Sequence, residues 1–526
     1  MEYQAVLLAG SQGTALYPLC EETPPCLLTI ATRPLLHFQL DYLERSGFTE
    51  CIIVTRTTFL KQISHSLDHW KARRGGLVTI STAGRADGSD KRLTPVTSPS
   101  STNSTGSSAS SFSSFSPAPP ASFSSTPFHI ALEHLDQWSG TCAALRHLRP
   151  LLHSDFFCLQ ADLISTVPLH HLADIHRSRQ AAVTMLVVDG SGEREKEGGG
   201  KKKKDEVDEL DVDYMGIVDE SPPLTISTSS PATASTAVLP ASSATASSAS
   251  ASASPGHRLL LYKSSLELDD DVFALHKSLL RRCQHLTMHT QLRDVHCYLL
   301  AHWTLQLLED KPLMASVKRE LVPYIVRGQY RGGKRDISRY TANDSDDEQR
   351  LALAMSHSAP TRDADETCRC YLFTAPPSTY CRRAETVRQY AAMNADLLHP
   401  DVDDELLSLL TEENHSAQLS RQHPRAQLAQ SFVGGGVVLP GEVAVSVRRS
   451  VLGKGVRVGG GVKVSGSVVM DGCVLEDGVV LTDSLLSEGC VVGKGSTVIN
   501  CKVGPRYDIP AGSEHKNEVL AQEREE

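Results

Sequence analysis

The chain has 526 residues, of which 40% are hydrophobic, and a formal net charge of −10. That length exceeds what one ordinary core accommodates and implies two or three domains. The acidic balance excludes a general nucleic-acid binder, which carries a basic surface. The start, Met1-Glu2-Tyr3-Gln4 followed only by the short apolar run Ala5 to Leu8, is not a signal peptide, and no run approaches the ~18 apolar residues of a membrane span. The 13 cysteines are scattered without a CxxC pair, and the Cys368/Cys370 spacing does not suit a zinc knuckle. They read as reduced thiols of a cytosolic protein.

In chain order, Val6 to Leu8 reads as a strand followed by a Gly/Ser loop. Pro34 opens a helix with Leu36, Leu40 and Leu43 on one face, and Gly47 ends it. Cys51 to Thr55 is a strand buried on both sides, so strand, helix and strand form the unit of a parallel α/β sheet. From about Thr94 to Thr126 the chain turns Ser/Thr/Pro-rich, and such composition cannot bury enough apolar surface to offset its ordering entropy. Strands resume at Phe156 to Leu159, which leads to Asp162, and at Ala181 to Val188.

Two further tracts interrupt the domain: Gly190 to Val212, with a lysine run cancelled by neighbouring acids, and the Ser/Ala/Thr-rich Pro222 to Pro255. Between them Tyr214 to Val218 is a short strand expected to pair with Leu259 to Tyr262. The insertions are placed at about 86–126, 190–212 and 221–256 and are expected to be disordered surface loops.

The strongest pattern is C-terminal. Val456, Val462, Val468, Val474, Val480, Leu486, Val492 and Val498 recur every six residues. A second column at the same period (Gly453, Gly459, Ser465, Asp471, Asp477, Asp483, Gly489, Gly495) is small or turn-forming. A helix of ~3.6 residues per turn cannot produce this period. The pattern resembles the hexapeptide repeats of left-handed parallel β-helices, with the aliphatic column pointing inward and the small column at the corners. The β-helix is assigned to 431–505, after a linker at 401–430 and before a tail at 506–526.

Leu8-Ala9-Gly10-Ser11-Gln12-Gly13-Thr14-Ala15-Leu16-Tyr17-Pro18-Leu19, then Pro24-Pro25-Cys26-Leu27-Leu28, resembles the signature of sugar nucleotidyltransferases, LAGGxGTRLxPLT followed by PKPLL. The resemblance implies a Rossmann-like α/β domain with a mixed, largely parallel sheet over 1–400, ahead of the β-helix. In that family a sugar phosphate attacks the α-phosphate of a nucleoside triphosphate. Loop amides cradle the phosphates, an arginine and a lysine balance the departing pyrophosphate, and an aspartate holds Mg²⁺.

Here the arginine position is Ala15 and the lysine position is Pro25, while Leu8, Ala9, Gly10, Gly13 and Asp162 remain as a vestigial nucleotide pocket. Loss of one preorganised charge costs about 3 kcal/mol of barrier, so loss of both predicts little turnover. With those partners gone, Asp162 reads as a cap or hydrogen-bond acceptor. No catalytic residue, metal site or cofactor is assigned.

Narrower strings are similar to the gamma-subunit family of eukaryotic translation initiation factor 2B. These include Asp213 to Ile217, Arg258 to Tyr262, Asp294 to Tyr298, Arg319 to Arg327 and Lys516 to Leu520. This resemblance implies a regulatory subunit of a cytosolic guanine-nucleotide exchange factor. Its expected partners are an epsilon-like subunit that carries the exchange activity, the other subunits, and initiation factor 2, with no direct contact to nucleic acid or membrane. A divergent transferase resembling mannose-1-phosphate guanylyltransferase, and a pseudoenzyme sensing nucleotide sugars, are the alternatives. Thr386, Tyr390 and Asn394 lie on one side of a helix expected to settle against the sheet. Gly140-Thr141 reads as a second pocket turn or an ordinary helix start, and His170-His171 and His285/His289 as ordinary histidines.

Overall fold

A computed structural model describes residues 2–74, 78–82, 127–190, 212–218, 256–265, 273, 275–283, 285–330, 337, 340, 368–399, 414–441 and 443–521. Apart from Gly190, Val212 and Gly256, the three segments expected to be disordered lie outside these residues.

The N-terminal part begins with β1 (Gln4–Leu8), a small hairpin of β2 (Thr29–Ile30) and β3 (Arg33–Pro34), α1 (Leu35–Arg45), β4 (Glu50–Arg56), α2 (Leu60–Arg73) and β5 (Val78–Thr82). It continues with β6 (Phe128–Leu135), α3 (Thr141–Leu148), β7 (Phe156–Gln160), β8 (Leu163–Ser165), α4 (Leu169–Arg179) and β9 (Val183–Asp189). Then come β10 (Asp213–Val218), β11 (His257–Ser264), α5 (Lys277–Arg282), β12 (Thr287–His289), β13 (Leu292–Leu300), α6 (Thr304–Asp310) and α7 (Val322–Gly328). The last elements are β14 (Cys370–Thr374), β15 (Cys381–Arg383) and α8 (Val387–Leu397).

Among the described residues eleven strands form one mixed sheet in the order β12-β10-β11-β14-β9-β13-β7-β1-β4-β6-β5. Its centre is parallel, with β1 between β7 and β4, whereas β13 is inserted antiparallel between β7 and β9. The expected pairing of β10 with β11 is antiparallel, setting Met215 opposite Tyr262.

Both faces of the sheet are covered, which is why its central strands read as unbroken apolar runs. Val6 and Leu8 of β1 face Leu145 of α3, Leu305 of α6 and Ile325 of α7; Ala5 and Leu7 face Leu36 of α1, Leu67 of α2 and Leu172 of α4. Each fully buried leucine stabilises this three-layer core by about 2–3 kcal/mol.

The C-terminal part is a parallel β-helix of three stacked sheets, preceded by α9 (Ser416–Gln422). Its strands run from Ala426–Ala429 to Val519–Leu520, so the coils continue through residues that the sequence pattern assigned to linker and tail. Leu452, Val469, Leu486 and Val503 stack directly, and each step is 17 residues. Left-handed backbone corners fall at Gly455, Gly461, Gly466, Gly472, Gly478 and Asp483, with spacings of 6, 5, 6, 6 and 5.

One side of each coil is therefore one residue short of a hexapeptide. A strict six-residue column cannot stay inside such a coil. Val456, Val462, Leu486, Val492 and Val498 do point inward, but Val474 and Val480 are half-exposed and Leu475 and Leu481 fill the core instead. Likewise Asp483, Gly489 and Gly495 occupy left-handed corners, while Gly453 and Gly459 lie two residues before the corners at Gly455 and Gly461.

Helix α8 joins the two parts. Val387, Tyr390 and Met393 share one apolar cluster with Leu28, Ile30 and Leu35 on one side and Phe432, Val451, Val468 and Leu485 of the β-helix on the other. Thr386 caps α8 through a reciprocal capping box with Gln389. Tyr390 donates to the Thr29 carbonyl at 2.6 Å, and Asn394 accepts from the Ala31 amide at 3.2 Å. The face expected to rest on the main sheet thus rests on the β2–β3 hairpin.

Candidate functional site

The Gly-rich loop follows β1 at the carboxyl end of the parallel strands, where ligands bind in α/β sheets. Ala9 continues the β1 ladder by donating its amide to the Val54 carbonyl at 2.8 Å. Gly10 is covered: a Cβ there would lie 2.2 Å from Cε3 and Cζ3 of Trp138. Its carbonyl accepts from Arg56 Nε at 2.7 Å.

Gly13 has φ +66°, and a Cβ on it would lie 2.5 Å from Pro25 Cγ. The proline at the lysine position is buried and fills the hollow of the loop, while Ala15 sits exposed on the short helical turn Thr14–Leu16. A packing proline thus stands where the resemblance implies a lysine, and an exposed alanine where it implies an arginine.

Asp162 lies in the turn between β7 and β8, held by Gln39, whose Nε2 donates to the carbonyls of Gln160 at 2.6 Å and Leu163 at 3.1 Å. The pairing of β8 with β15 sets Arg383 opposite Leu163, and there its guanidinium meets the carboxylate. Arg383 Nε donates to Asp162 Oδ1 at 3.1 Å and Nη2 donates to Oδ2 at 2.8 Å, while Nη1 reaches Glu385 at 3.3 Å. Burial opposes the charge on Arg383, but Asp162 and Glu385 outweigh it and raise its pKa above the ordinary arginine value.

A bidentate guanidinium occupies both carboxylate oxygens. The Mg²⁺ implied by the resemblance needs open oxygen ligands, so the residues present do not fit it.

Leu8, Ala9, Ser11, Pro25, Cys26, Gln160, Ala161 and Asp162 line what remains of the cleft, with a volume of about 10 Å³. That admits roughly one water, whereas ligand pockets measure about 300–1,000 Å³. The start of α3 is also engaged. The Cys142 amide donates to the Ala315 carbonyl at 2.9 Å, and a Cβ at Gly140 would come within 2.3 Å of that oxygen. Thr141 Oγ1 accepts from the Val317 amide at 2.9 Å, so Gly140-Thr141 is an ordinary helix start locked by its neighbour.

Leu8, Ala9 and Asp162 therefore line the cleft together with Pro25, whereas Gly10 lies against Trp138, Gly13 lies against Pro25 outside that lining, and Ala15 is exposed. Sequence reasoning missed Arg383, Trp138 and Arg56. Arg383 lies 221 residues from Asp162, and no local motif marks it. All 13 cysteines are free thiols, and the described residues contain no group of three or more His, Cys, Asp or Glu able to hold a metal. No helix among them is long and apolar enough to cross a membrane.

Comparison with known proteins agrees with both parts. Residues 4–87 match the nucleotidyl transferase family and residues 416–504 match the GlmU-like C-terminal hexapeptide family. The chain is 22% identical over 484 residues to translation initiation factor eIF2B subunit gamma of Dictyostelium discoideum, covering 87% of this chain and 88% of that protein. It is 23% identical over 338 residues to the Schizosaccharomyces pombe subunit of the same name, covering 63% of this chain and 52% of that protein. A shorter match, 32% over 72 residues, is to choline-phosphate cytidylyltransferase of Streptococcus pneumoniae, covering 14% of this chain and 29% of that enzyme. The chain thus joins a nucleotidyl transferase segment to a hexapeptide β-helix and is similar, over most of its length, to the gamma subunits of translation initiation factor eIF2B.

Proposed function

We propose that this chain is a non-catalytic, regulatory or structural subunit of translation initiation factor 2B, the assembly that exchanges GDP for GTP on initiation factor 2 in the cytosol. The similarity to gamma subunits supports membership of that complex. The observation that carries the non-catalytic reading is the Asp162–Arg383 pair beside a cleft of about 10 Å³. A cation supplied by the chain itself neutralises the carboxylate, and Pro25 and Trp138 pack the loop from which phosphates would be cradled. On this reading an epsilon-like partner performs the exchange, and the transferase fold serves as a rigid body for assembly. The same closure argues against a divergent transferase and against a nucleotide-sugar sensor.

A tagged pull-down from the source cytosol tests the assignment. Recovery with an epsilon-like subunit and the remaining factor 2B subunits supports it; recovery alone or only with itself overturns it. Magnesium-dependent pyrophosphate release with any common sugar phosphate would refute the non-catalytic part separately.

A further inference from the structure

Helix α2 carries a pair of histidines that neither its core packing nor the transferase cleft uses. Its inward side is fixed by Ile63, Leu67 and Trp70, all buried. On the opposite side His65 and His69 are exposed, four residues apart on one continuous helix. Residues at that spacing are neighbours on a helix surface, with Cβ atoms about 5–6 Å apart. The two imidazoles are already in contact, with ring centroids 4.6 Å apart and planes at 82°. Among the described residues neither ring has a hydrogen-bond or ion-pair partner. His170 and His171 also touch, but His171 is stacked on Phe373 with centroids 5.6 Å apart.

Two aromatic rings adopt an edge-to-face contact for their own sake, so the distance is what matters. With metal–nitrogen bonds of about 2.0–2.1 Å, two imidazoles sharing one ion at an angle between a right angle and the tetrahedral one have centroids about 4.4–5.3 Å apart. The observed 4.6 Å falls in that range, so chelation asks for rotation of the rings and not for movement of the helix. The surroundings decide the class of ion. Lys61 and Arg73 stand exposed one turn before and one turn after the pair, and no further His, Cys, Asp or Glu joins it into a group of three among the described residues. Oxygen-seeking Mg²⁺ and Ca²⁺ find no ligand set here, whereas Zn²⁺, Ni²⁺ and Cu²⁺ accept imidazole nitrogen. The flanking cations oppose an ion held by charge alone, so binding rests on the chelate.

We propose that His65 and His69 form a surface site for a divalent transition-metal ion of the imidazole-preferring class. One nitrogen from each ring closes a chelate across one turn of α2. Water fills the remaining positions and leaves the ion open to a donor from another protein. The proposal stands apart from the reading of the transferase cleft.

The test uses the full chain without a histidine tag, stripped of metal by chelator and dialysed. Ni²⁺ is the probe, because it accepts imidazole nitrogen and does not oxidise the 13 thiols of the chain. Calorimetric titration should show saturable binding that H65Q and H69Q each weaken at least about tenfold, since one ring alone loses the chelate. H170Q should leave the affinity unchanged, and excess Mg²⁺ should not compete. Without metal the melting temperatures of these variants should match the parent, because the replaced side chains are exposed. Hydrogen exchange within Leu60–Arg73 should slow when Ni²⁺ is present. Equal Ni²⁺ affinity of the parent and H65Q/H69Q, no saturable binding up to about 1 mM Ni²⁺, or slowed exchange elsewhere but not in α2 would each overturn the proposal.

Discussion

Replacement of Arg383 by alanine removes the counter-charge of Asp162 without touching the apolar core. Both partners are buried, and the pair is bidentate at 3.1 and 2.8 Å. A carboxylate stranded in such a place costs about 3–5 kcal/mol, a large share of the ~5–15 kcal/mol that a domain commands. The three tryptophans, Trp70, Trp138 and Trp303, all lie in the N-terminal domain, so their fluorescence follows that domain alone through urea unfolding. We expect R383A to lose about 3–5 kcal/mol, and the double replacement Asp162→Leu with Arg383→Met to recover most of it, since an apolar pair can replace a buried ion pair at no loss. In the cycle built from Asp162→Leu, Arg383→Met and their double replacement, the coupling energy should exceed about 2 kcal/mol. A loss below about 1 kcal/mol in R383A, or additive effects in the cycle, would refute the claim that Arg383 serves as the resident cation of this site.

Restoring the family's charges with A15R/P25K should leave pyrophosphate release at background, because Arg383 still holds Asp162; measurable turnover would contradict this. Gly13→Ala should cost about 1–2 kcal/mol for the left-handed backbone alone, with a further loss from its 2.5 Å approach to Pro25, read by the same fluorescence. In the β-helix, Leu486→Ala should cost about 2–5 kcal/mol whereas Val480→Ala should stay within about 1 kcal/mol, and circular dichroism melts distinguish them. Equal losses would restore the strict hexapeptide phase. His37 donates or accepts through Nε2 against Ser66, and burial together with Arg33 lowers its pKa from 6.5 to about 3. Below pH 6.5 the unfolded chain takes up a proton that the folded chain refuses, so this contribution is complete above that pH and falls away toward pH 3. His37→Gln should flatten the decline in urea midpoint between about pH 7 and pH 5.

The sequence by itself determined what depends on near neighbours. Runs such as Cys51 to Thr55 announced strands buried on both faces, because a parallel sheet covered by helices needs no polar side. The six-residue recurrence announced a β-helix, because each short strand and corner repeats the same local geometry. The Gly-rich loop was legible with its missing charges, since Ala15 lies two residues after Gly13 and Pro25 twelve, within one continuous stretch of sequence.

Only the tertiary structure decided the rest. Coil phase depends on which residue stacks upon which 17 positions later, and one shortened side per coil moves Val474 and Val480 outward in favour of Leu475 and Leu481. The fate of Asp162 turned on Arg383, brought beside it by the β8–β15 pairing rather than by any local pattern. The covering of Gly10 by Trp138 and the seam around α8 were equally hidden. Local propensity acts over a few residues, whereas a buried charge takes whatever partner the fold delivers, and that partner can come from anywhere in the chain.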